Sequence, residues 1–130
     1  MKNNLEKSNS QNPKLKRNEI VFETTDIYNI PITLSRATWE EKIKVDHPEV
    51  EDYLNEAKTT IEDPDVVIAD SLRETTKIFS RFGMGKGQYH NLHLRTIVQY
   101  AGVGGRVASI HFANTLPKGK IICLRRITRN

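Results

Sequence analysis

The stretch "GGRVASIHFANTLPKGK", residues 104–120, alternates between two kinds of side chain and is bounded by glycine-containing turns. In a β-strand, residues two positions apart lie on the same face of the sheet. Ala108, Ile110 and Phe112 would therefore share one face, while Ser109 and His111 share the other. The pattern predicts a strand that packs an apolar face on a core and presents a polar face with an imidazole.

Further strands are predicted on both sides of this stretch. After Asp65 the chain contains "VVIAD", "TKIFSRF", "LHLRTIVQY" and "KIICLRRI", with connections short enough for hairpins, and "EIVFET" and "YNIPITL" precede them. Between the two groups, helices are predicted from Ser35 or Thr38 and from Pro48. This order, with helices followed by an antiparallel run of strands, favours an α+β fold.

The composition is that of a globular protein with one domain. The chain has 130 residues, of which 37% are hydrophobic and 28% are charged, which leaves room for a modest core. Residues 1–18 contain little to bury, so we expect a flexible basic tail or linker there and a single domain over residues 19–130. No apolar run approaches the roughly 18 to 20 residues of a membrane span, and no secretory signal is recognisable. We therefore expect a cytoplasmic protein with no membrane partner.

Charge is distributed unevenly along the chain. Residues 1–18 carry five basic and one acidic side chain (+4), residues 19–65 carry four and thirteen (−9), and residues 66–130 carry eleven and two (+9). A basic half of this kind favours a polyanionic partner such as RNA. The alternative is that the acidic and basic halves compensate each other within the fold.

Polar side chains recur on the strands around His111. Histidine exchanges protons near neutral pH, and Arg and Lys stabilise the charge of a phosphate. If three strands lie side by side in register, one surface of the sheet collects several such side chains and no carboxylate. These are Lys77, Arg81, His93, Arg95, Ser109 and His111.

Such a surface suits cleavage of RNA without a metal ion. Attack of a ribose 2′-OH on the adjacent phosphate needs a proton acceptor, a proton donor for the leaving 5′-oxygen, and cations that stabilise the additional phosphate charge. A metal site lined by carboxylates is not expected, because the basic half offers only Asp70 and Glu74. The alternative for the polar face is an ordinary solvated sheet surface.

A second set of residues lies in the helical part of the chain, in "ITLSRATWEEKIKVDHPEVEDYLNEAKTTIEDPDVV", residues 32–67. Together with the late polar strand, these residues resemble the phage-type branch of the barnase, EndoU, colicin and RelE (BECR) nuclease superfamily, over roughly residues 31–126. The features that carry the resemblance are Trp39, Ile43, His47-Pro48-Glu49, Tyr53-Leu54, Ile61-Glu62, Pro64-Asp65 and the turn Leu116-Pro117-Lys118-Gly119.

The resemblance implies a barnase/RelE-like arrangement, in which two helices pack on one face of an antiparallel sheet and a metal-independent RNase site lies on the open face. It also implies use as a toxin or phage-derived effector, with an antitoxin or immunity protein as partner, and it adds His47 to the site. Two positions differ from the family pattern. Lys42 stands where members have a histidine, and Ser109-Ile110-His111 replaces a triplet similar to Thr-Ala-Tyr.

We therefore expect a metal-independent endoribonuclease that needs no cofactor. The alternative is a catalytically inactive RNA- or protein-binding module of the same fold, which the substitution at Lys42 favours. Cleavage of RNA in EDTA separates the two. The expected catalytic residues are His111, His47, His93 and Ser109, and the expected substrate-binding residues are Arg95, Arg81, Lys77 and Arg106.

Overall fold

The computed structural model of the protein describes residues 17–126. The tail predicted for residues 1–18 therefore lies, apart from Arg17 and Asn18, outside the described residues. The strands within the described range are β1 (Ile20–Thr25), β2 (Pro31–Ser35), β3 (Val66–Asp70), β4 (Thr76–Phe82), β5 (His93–Ala101), β6 (Gly104–Ala113) and β7 (Gly119–Leu124).

Helix α1 follows β2 directly. The Ser35 hydroxyl caps it by accepting a hydrogen bond from the Thr38 N–H at 3.2 Å, as short polar residues do at helix starts. Trp39 and Ile43 lie one turn apart and are 6% and 1% exposed, so this side of the helix faces the core. The middle of α1 has π-helical geometry, which is frequent at functional sites. Its three consecutive segments are Arg36–Thr38, Trp39–Ile43 (π) and Lys44–Asp46.

The helix predicted from Pro48 forms in two pieces. Pro48–Val50 is a single 3₁₀ turn, and α2 spans Leu54–Glu62. The break falls at Tyr53, whose backbone (φ −117°, ψ 27°) is not helical. Its ring instead contacts Phe112 edge-on, at a centroid distance of 4.9 Å. No helix among the described residues is long and apolar enough to cross a membrane.

The strands form one sheet in the order β1-β2-β6-β5-β4-β3-β7. The class α+β is as predicted, but the sheet is mixed rather than antiparallel, because β2 and β6 run parallel. The chain passes through both helices and three strands between them, so no hairpin dictates their relative direction. Their pairing covers only Ile32 with Gly105 and Thr33 with Arg106.

One face of the sheet carries the main core beneath both helices. The hydroxyl of Thr60 on α2 donates to that of Thr96 on β5 at 2.7 Å, which ties the helix to the centre of the sheet. Each large apolar side chain buried in this layer contributes about 1.5 to 3 kcal/mol. The layer includes Trp39 and Ile43 of α1, Ala57 and Ile61 of α2, and Phe79, Leu94, Val98 and Ile110 of the sheet.

Candidate active site

The last part of β6 has an edge that lies beside the helices. β2 pairs with β6 only at Gly105 and Arg106, because β2 ends at Ser35 and the chain turns into α1. Within the described residues, Ala108–Ala113 is therefore paired on one side only. Its other edge is contacted by α1 and by the turn Pro48–Val50. The departure of β2 thus brings helical residues against the side chains of β6.

A β-bulge sets which side chains of β6 reach this site. The register with β5 shifts by one residue at Ala108, so Val107 takes the buried position that the simple alternation assigns to Ala108. Beyond the bulge the predicted alternation holds. Ile110 is fully buried on the core face, and Ser109 and His111 lie on the opposite face.

The imidazoles of His47 and His111 are in contact. Their ring centroids are 4.9 Å apart and the planes are inclined by 29°. His47 follows the last turn of α1, where its N–H donates to the Ile43 carbonyl at 2.7 Å. Its Nδ1 lies 3.5 Å from Glu49 Oε2, an ion pair when the imidazole is protonated. The side chain of His47 is 34% exposed, so a ligand in solution can reach the histidine pair.

His111, Arg95 and Ser80 form a row across β6, β5 and β4. Arg95 is the direct cross-strand partner of both other residues, and its Nη2 donates to the Thr115 carbonyl. Three buried atoms of the row, His111 Nδ1, Arg95 Nε and Ser80 Oγ, have no hydrogen-bond partner among residues 17–126. An unsatisfied buried polar group costs about 1 to 3 kcal/mol. The row therefore gains stability from a polar ligand or water that supplies the missing partners.

Burial determines the charge state of the row. Together with the smaller effects of the neighbouring His47 and Arg95, burial lowers the pKa of His111 to about 4, against an opposing effect of Glu49. At pH 7 His111 is therefore neutral and can accept a proton. Burial also lowers the pKa of Arg95, but a guanidinium keeps its charge at this pH. A proton acceptor and a fixed cation thus lie side by side.

An aromatic cluster supports His111 from the next position of β6. Phe112 stacks on Tyr89 with ring centroids 4.9 Å apart and an interplanar angle of 16°, and Tyr53 meets Phe112 edge-on. The Tyr53 hydroxyl also accepts a hydrogen bond from the Lys86 N–H at 3.0 Å. These interactions fasten the segment 83–92 to the end of β6.

His93 and Ser109 lie on the same face of the sheet as His111 but are not part of the contact between the two imidazoles. His93 lies on the same face as Arg95 but is only 5% exposed, and its ring packs edge-on against Phe82 at 5.2 Å. Burial, and secondarily Arg95, lowers its pKa. Ser109 is half-buried and faces Ile97 across the strands. His93 is thus shielded from solvent, and the direct neighbour of Ser109 on β5 is an apolar side chain.

The prediction that Lys77 and Arg81 join this surface is wrong. On β4 they lie opposite Val98 and Leu94 of β5, both fully buried on the core face. Lys77 and Arg81 therefore lie on the helix side of the sheet. The residue of β4 that does lie beside Arg95 is Ser80.

Both cations have structural partners on that side. Lys77 Nζ lies 4.3 Å from the ring centroid of Tyr28 and 4.6 Å from that of Tyr100, the geometry of cation–π interactions. Arg81 Nη1 forms an ion pair with Asp63 Oδ2 at 2.7 Å. Both cations are therefore balanced by partners within the protein, and neither needs a substrate phosphate.

Arg106 lies on the same face as Arg95, toward the other end of the sheet. It is exposed and stands opposite Gln99 on β5. Arg106 lines a cleft that includes neither His47 nor His111.

Two residues beside the histidine pair and its polar row, Glu49 and Ser80, have positions that the sequence patterns do not indicate. The sequence singles out Glu49 only as part of the His-Pro-Glu block, yet its carboxylate forms the ion pair with His47. Ser80 is fully buried within an otherwise apolar part of its strand. A polar residue at such a position is the available signal, because a buried hydroxyl needs a hydrogen-bond partner.

Among residues 17–126, no group of three or more His, Cys, Asp or Glu side chains is arranged to hold a metal ion. Comparison of the chain with family models, with curated proteins and with solved structures gives no match. What the site does is therefore inferred from the geometry of its own residues.

Proposed function

We propose that the protein is a metal-independent endoribonuclease that cleaves RNA by transesterification. The observation that carries this proposal is the contact between His47 and His111 at 4.9 Å, with Arg95 opposite His111 on the neighbouring strand. Two imidazoles in contact, with a cation opposite one of them, match the needs of this reaction, which are an acid, a base and a stabiliser of phosphate charge.

In the proposed reaction His111 acts as the base. Its neutral imidazole accepts the proton of a ribose 2′-OH, and the 2′-oxygen attacks the adjacent phosphorus. The bond between phosphorus and the 5′-oxygen breaks, and protonated His47 donates its proton to that oxygen. The products are a 2′,3′-cyclic phosphate and a free 5′-OH.

The neighbouring side chains support these roles. The Glu49 carboxylate lies 3.5 Å from His47 Nδ1 and forms an ion pair with the ring when it carries the proton that the acid donates. Arg95 supplies positive charge where the phosphorane develops its additional negative charge. The Nε of Arg95 has no partner among the described residues, so a phosphate oxygen would satisfy it. Bound phosphate in turn raises the affinity of His111 for a proton, since an anion favours the charged imidazole.

The resemblance found in the sequence extends the proposal to the fold family and the cellular role. Both helices cover one face of the sheet, and the histidine pair lies at the edge of the other, so a barnase/RelE-like arrangement is part of this proposal. A cytoplasmic toxin or phage-derived effector, held in check by an antitoxin or immunity protein, is the cellular role that the resemblance supports.

The test is incubation of the purified chain with a single-stranded RNA in excess EDTA. The proposal predicts fragments that end in 2′,3′-cyclic phosphate, and no cleavage of a matched strand with 2′-deoxyribose at the cleaved position. Cleavage of the deoxy strand, or cleavage that requires added divalent metal, would contradict it. RNA binding without any cleavage would favour the inactive binding module instead.

A further inference from the structure

A second polar row crosses the open face of the sheet at the end away from His93. Thr76 on β4 lies opposite Gln99 on β5, Gln99 lies opposite Arg106 on β6, and Arg106 pairs with Thr33 on β2. Gln99 is four residues from Arg95 on β5, which at ~3.4 Å per residue places this row about 14 Å from the row of His111. Both rows lie on the same surface, with the row of Ile78, Ile97 and Ser109 between them.

The second row forms the floor of a cleft of about 590 Å³. Arg73, from the turn between β3 and β4, reaches its rim, and the hairpin between β5 and β6 closes one end. Within residues 17–126, no Asp or Glu lines the cleft. Neither Arg73 nor Arg106 forms an ion pair with any residue in the described part of the chain. The cleft therefore presents two uncompensated guanidinium groups to a ligand.

A buried hydroxyl at the floor of the cleft indicates that it is built to hold a polar ligand. Thr76 is only 2% exposed, and its Oγ1 has no hydrogen-bond partner among residues 17–126. Buried hydroxyls in native proteins are nearly always paired. An oxygen-rich anion between Arg73 and Arg106 would supply an acceptor for this hydroxyl.

The cleft continues toward the histidine pair. An adjoining cleft of about 480 Å³ shares Thr33, Gln99 and Arg106 with it and extends along β6 as far as Ala108. Lys42, on the π-helical part of α1, lines this second part, and no carboxylate of the described chain does. A basic path therefore leads from Arg73 by way of Arg106 to Lys42 and ends at Ala108, three residues before His111 on β6.

We propose that this path binds the sugar–phosphate backbone of single-stranded RNA flanking the cleaved bond. The inference rests on the proposed function, in that the ligand is the same RNA strand that the histidine pair cleaves. Phosphate oxygens satisfy Arg73, Arg106 and the Thr76 hydroxyl, and a span of about 14 Å accommodates more than one nucleotide. A single strand can follow a concave path of this kind, whereas a duplex presents a rigid convex surface.

The test is binding of a fluorescein-labelled decamer of 2′-O-methyl RNA, which lacks the nucleophilic hydroxyl, to the full chain. Relative to wild type, the double variant Arg73→Gln/Arg106→Gln should bind at least tenfold more weakly. The slope of log Kd against log salt should fall in magnitude by about 0.7 for each phosphate that the variant no longer neutralises. Lys58→Gln, at a half-buried position of α2, removes one positive charge outside the cleft and should change neither quantity. Thr76→Val keeps the side-chain shape and should weaken binding less than the double variant, but measurably.

Unchanged affinity and salt slope in a folded double variant would overturn the inference, as would equal affinity for the duplex form of the decamer. Circular dichroism establishes that each variant is folded. Cleavage is measured separately, so the two proposals fail in different ways. If the wild type cleaves RNA but the Arg73 and Arg106 substitutions do not change binding, only the proposal about the cleft is contradicted. Cleft-dependent binding without cleavage by wild type contradicts only the nuclease.

Discussion

The ring of His111 on β6 stacks on the ring of His47 at the end of α1, with centroids 4.9 Å apart. This stacking joins an edge of the sheet to the junction between two helical segments. It exists because β2 leaves the sheet at Ser35 and exposes the edge of β6 to α1. The acid and the base of the proposed reaction are therefore positioned by the topology of the chain rather than by one local motif.

The protonation of His111 should be observable directly. Burial together with the positive charge of Arg95 holds its pKa near 4, so the imidazole should titrate well below the ordinary value of about 6.5. Arg95→Gln should raise this pKa, because a nearby cation is removed. NMR titration of the His111 ring protons measures both values. Titration of wild-type His111 at 6.5 or above would contradict the described burial.

The same depressed pKa makes stability depend on pH. Between about pH 6.5 and pH 4 the unfolded chain binds a proton at His111 and the folded chain does not. The contribution of His111 to the free energy of unfolding is therefore complete above pH 6.5 and is lost as the pH falls to about 4. The loss is at most roughly 3 kcal/mol. Urea unfolding at pH 7 and pH 4.5 should show a smaller loss of unfolding free energy for His111→Gln than for wild type. An equal loss in both proteins would contradict this linkage.

The carboxylate of Asp63 should hold in place the residues that follow β7, Arg125 and Arg126. It forms ion pairs with Arg81, Arg125 and Arg126, and hydrogen bonds from Arg126 and Arg81 lower its pKa. Asp63→Asn should destabilise the fold by about 1 kcal/mol, the scale of partly exposed ion pairs. The contribution of the Asp63 carboxylate to the free energy of unfolding is present above its pKa in the unfolded chain. It is lost as the pH falls through its lower pKa in the folded chain. Thermal unfolding at pH 7 and pH 3 measures both effects, and a variant as stable as wild type at pH 7 would contradict the role.

The hydroxyl of Tyr53 should anchor the segment 83–92. It accepts a hydrogen bond from the Lys86 N–H at 3.0 Å, a bond worth about 0.5 to 1.5 kcal/mol. Tyr53→Phe keeps the ring packing against Phe112 and removes only this acceptor. Hydrogen exchange should become several times faster at Lys86 and remain unchanged in β5. Unchanged exchange at Lys86 would show that the aromatic packing alone holds the segment.

Alternation predicted the faces of β5, and of β6 beyond the bulge at Ala108, correctly for a physical reason. One side of these strands carries fully buried residues such as Leu94 and Ile110, and the other side carries Arg95 and His111, so the two faces differ in their chemistry. The sequence could therefore place the polar row on β5 and β6, and it could identify the class α+β from the order of the elements.

Alternation failed on β4 because both faces of that strand are covered. Ile78, Phe79 and Ser80 are consecutive and all buried, so hydrophobicity does not show which side faces the helices. Lys77 and Arg81 share the side of Phe79, which is the core side. The parallel pairing of β2 with β6 and the stacking of His47 on His111 depend on residues distant in sequence, and no local pattern encodes them.

The most direct test of the central claim compares three histidine variants in the RNA cleavage assay with EDTA. His111→Ala and His47→Ala should each reduce the rate by about 10²- to 10⁴-fold, the usual cost of losing a positioned acid or base. His90→Ala is the matched control, because its exposed ring bonds the Gly87 carbonyl of its own turn, and it should cleave at the wild-type rate. Circular dichroism should show all three folded. Cleavage by folded His111→Ala within about threefold of wild type would contradict the account.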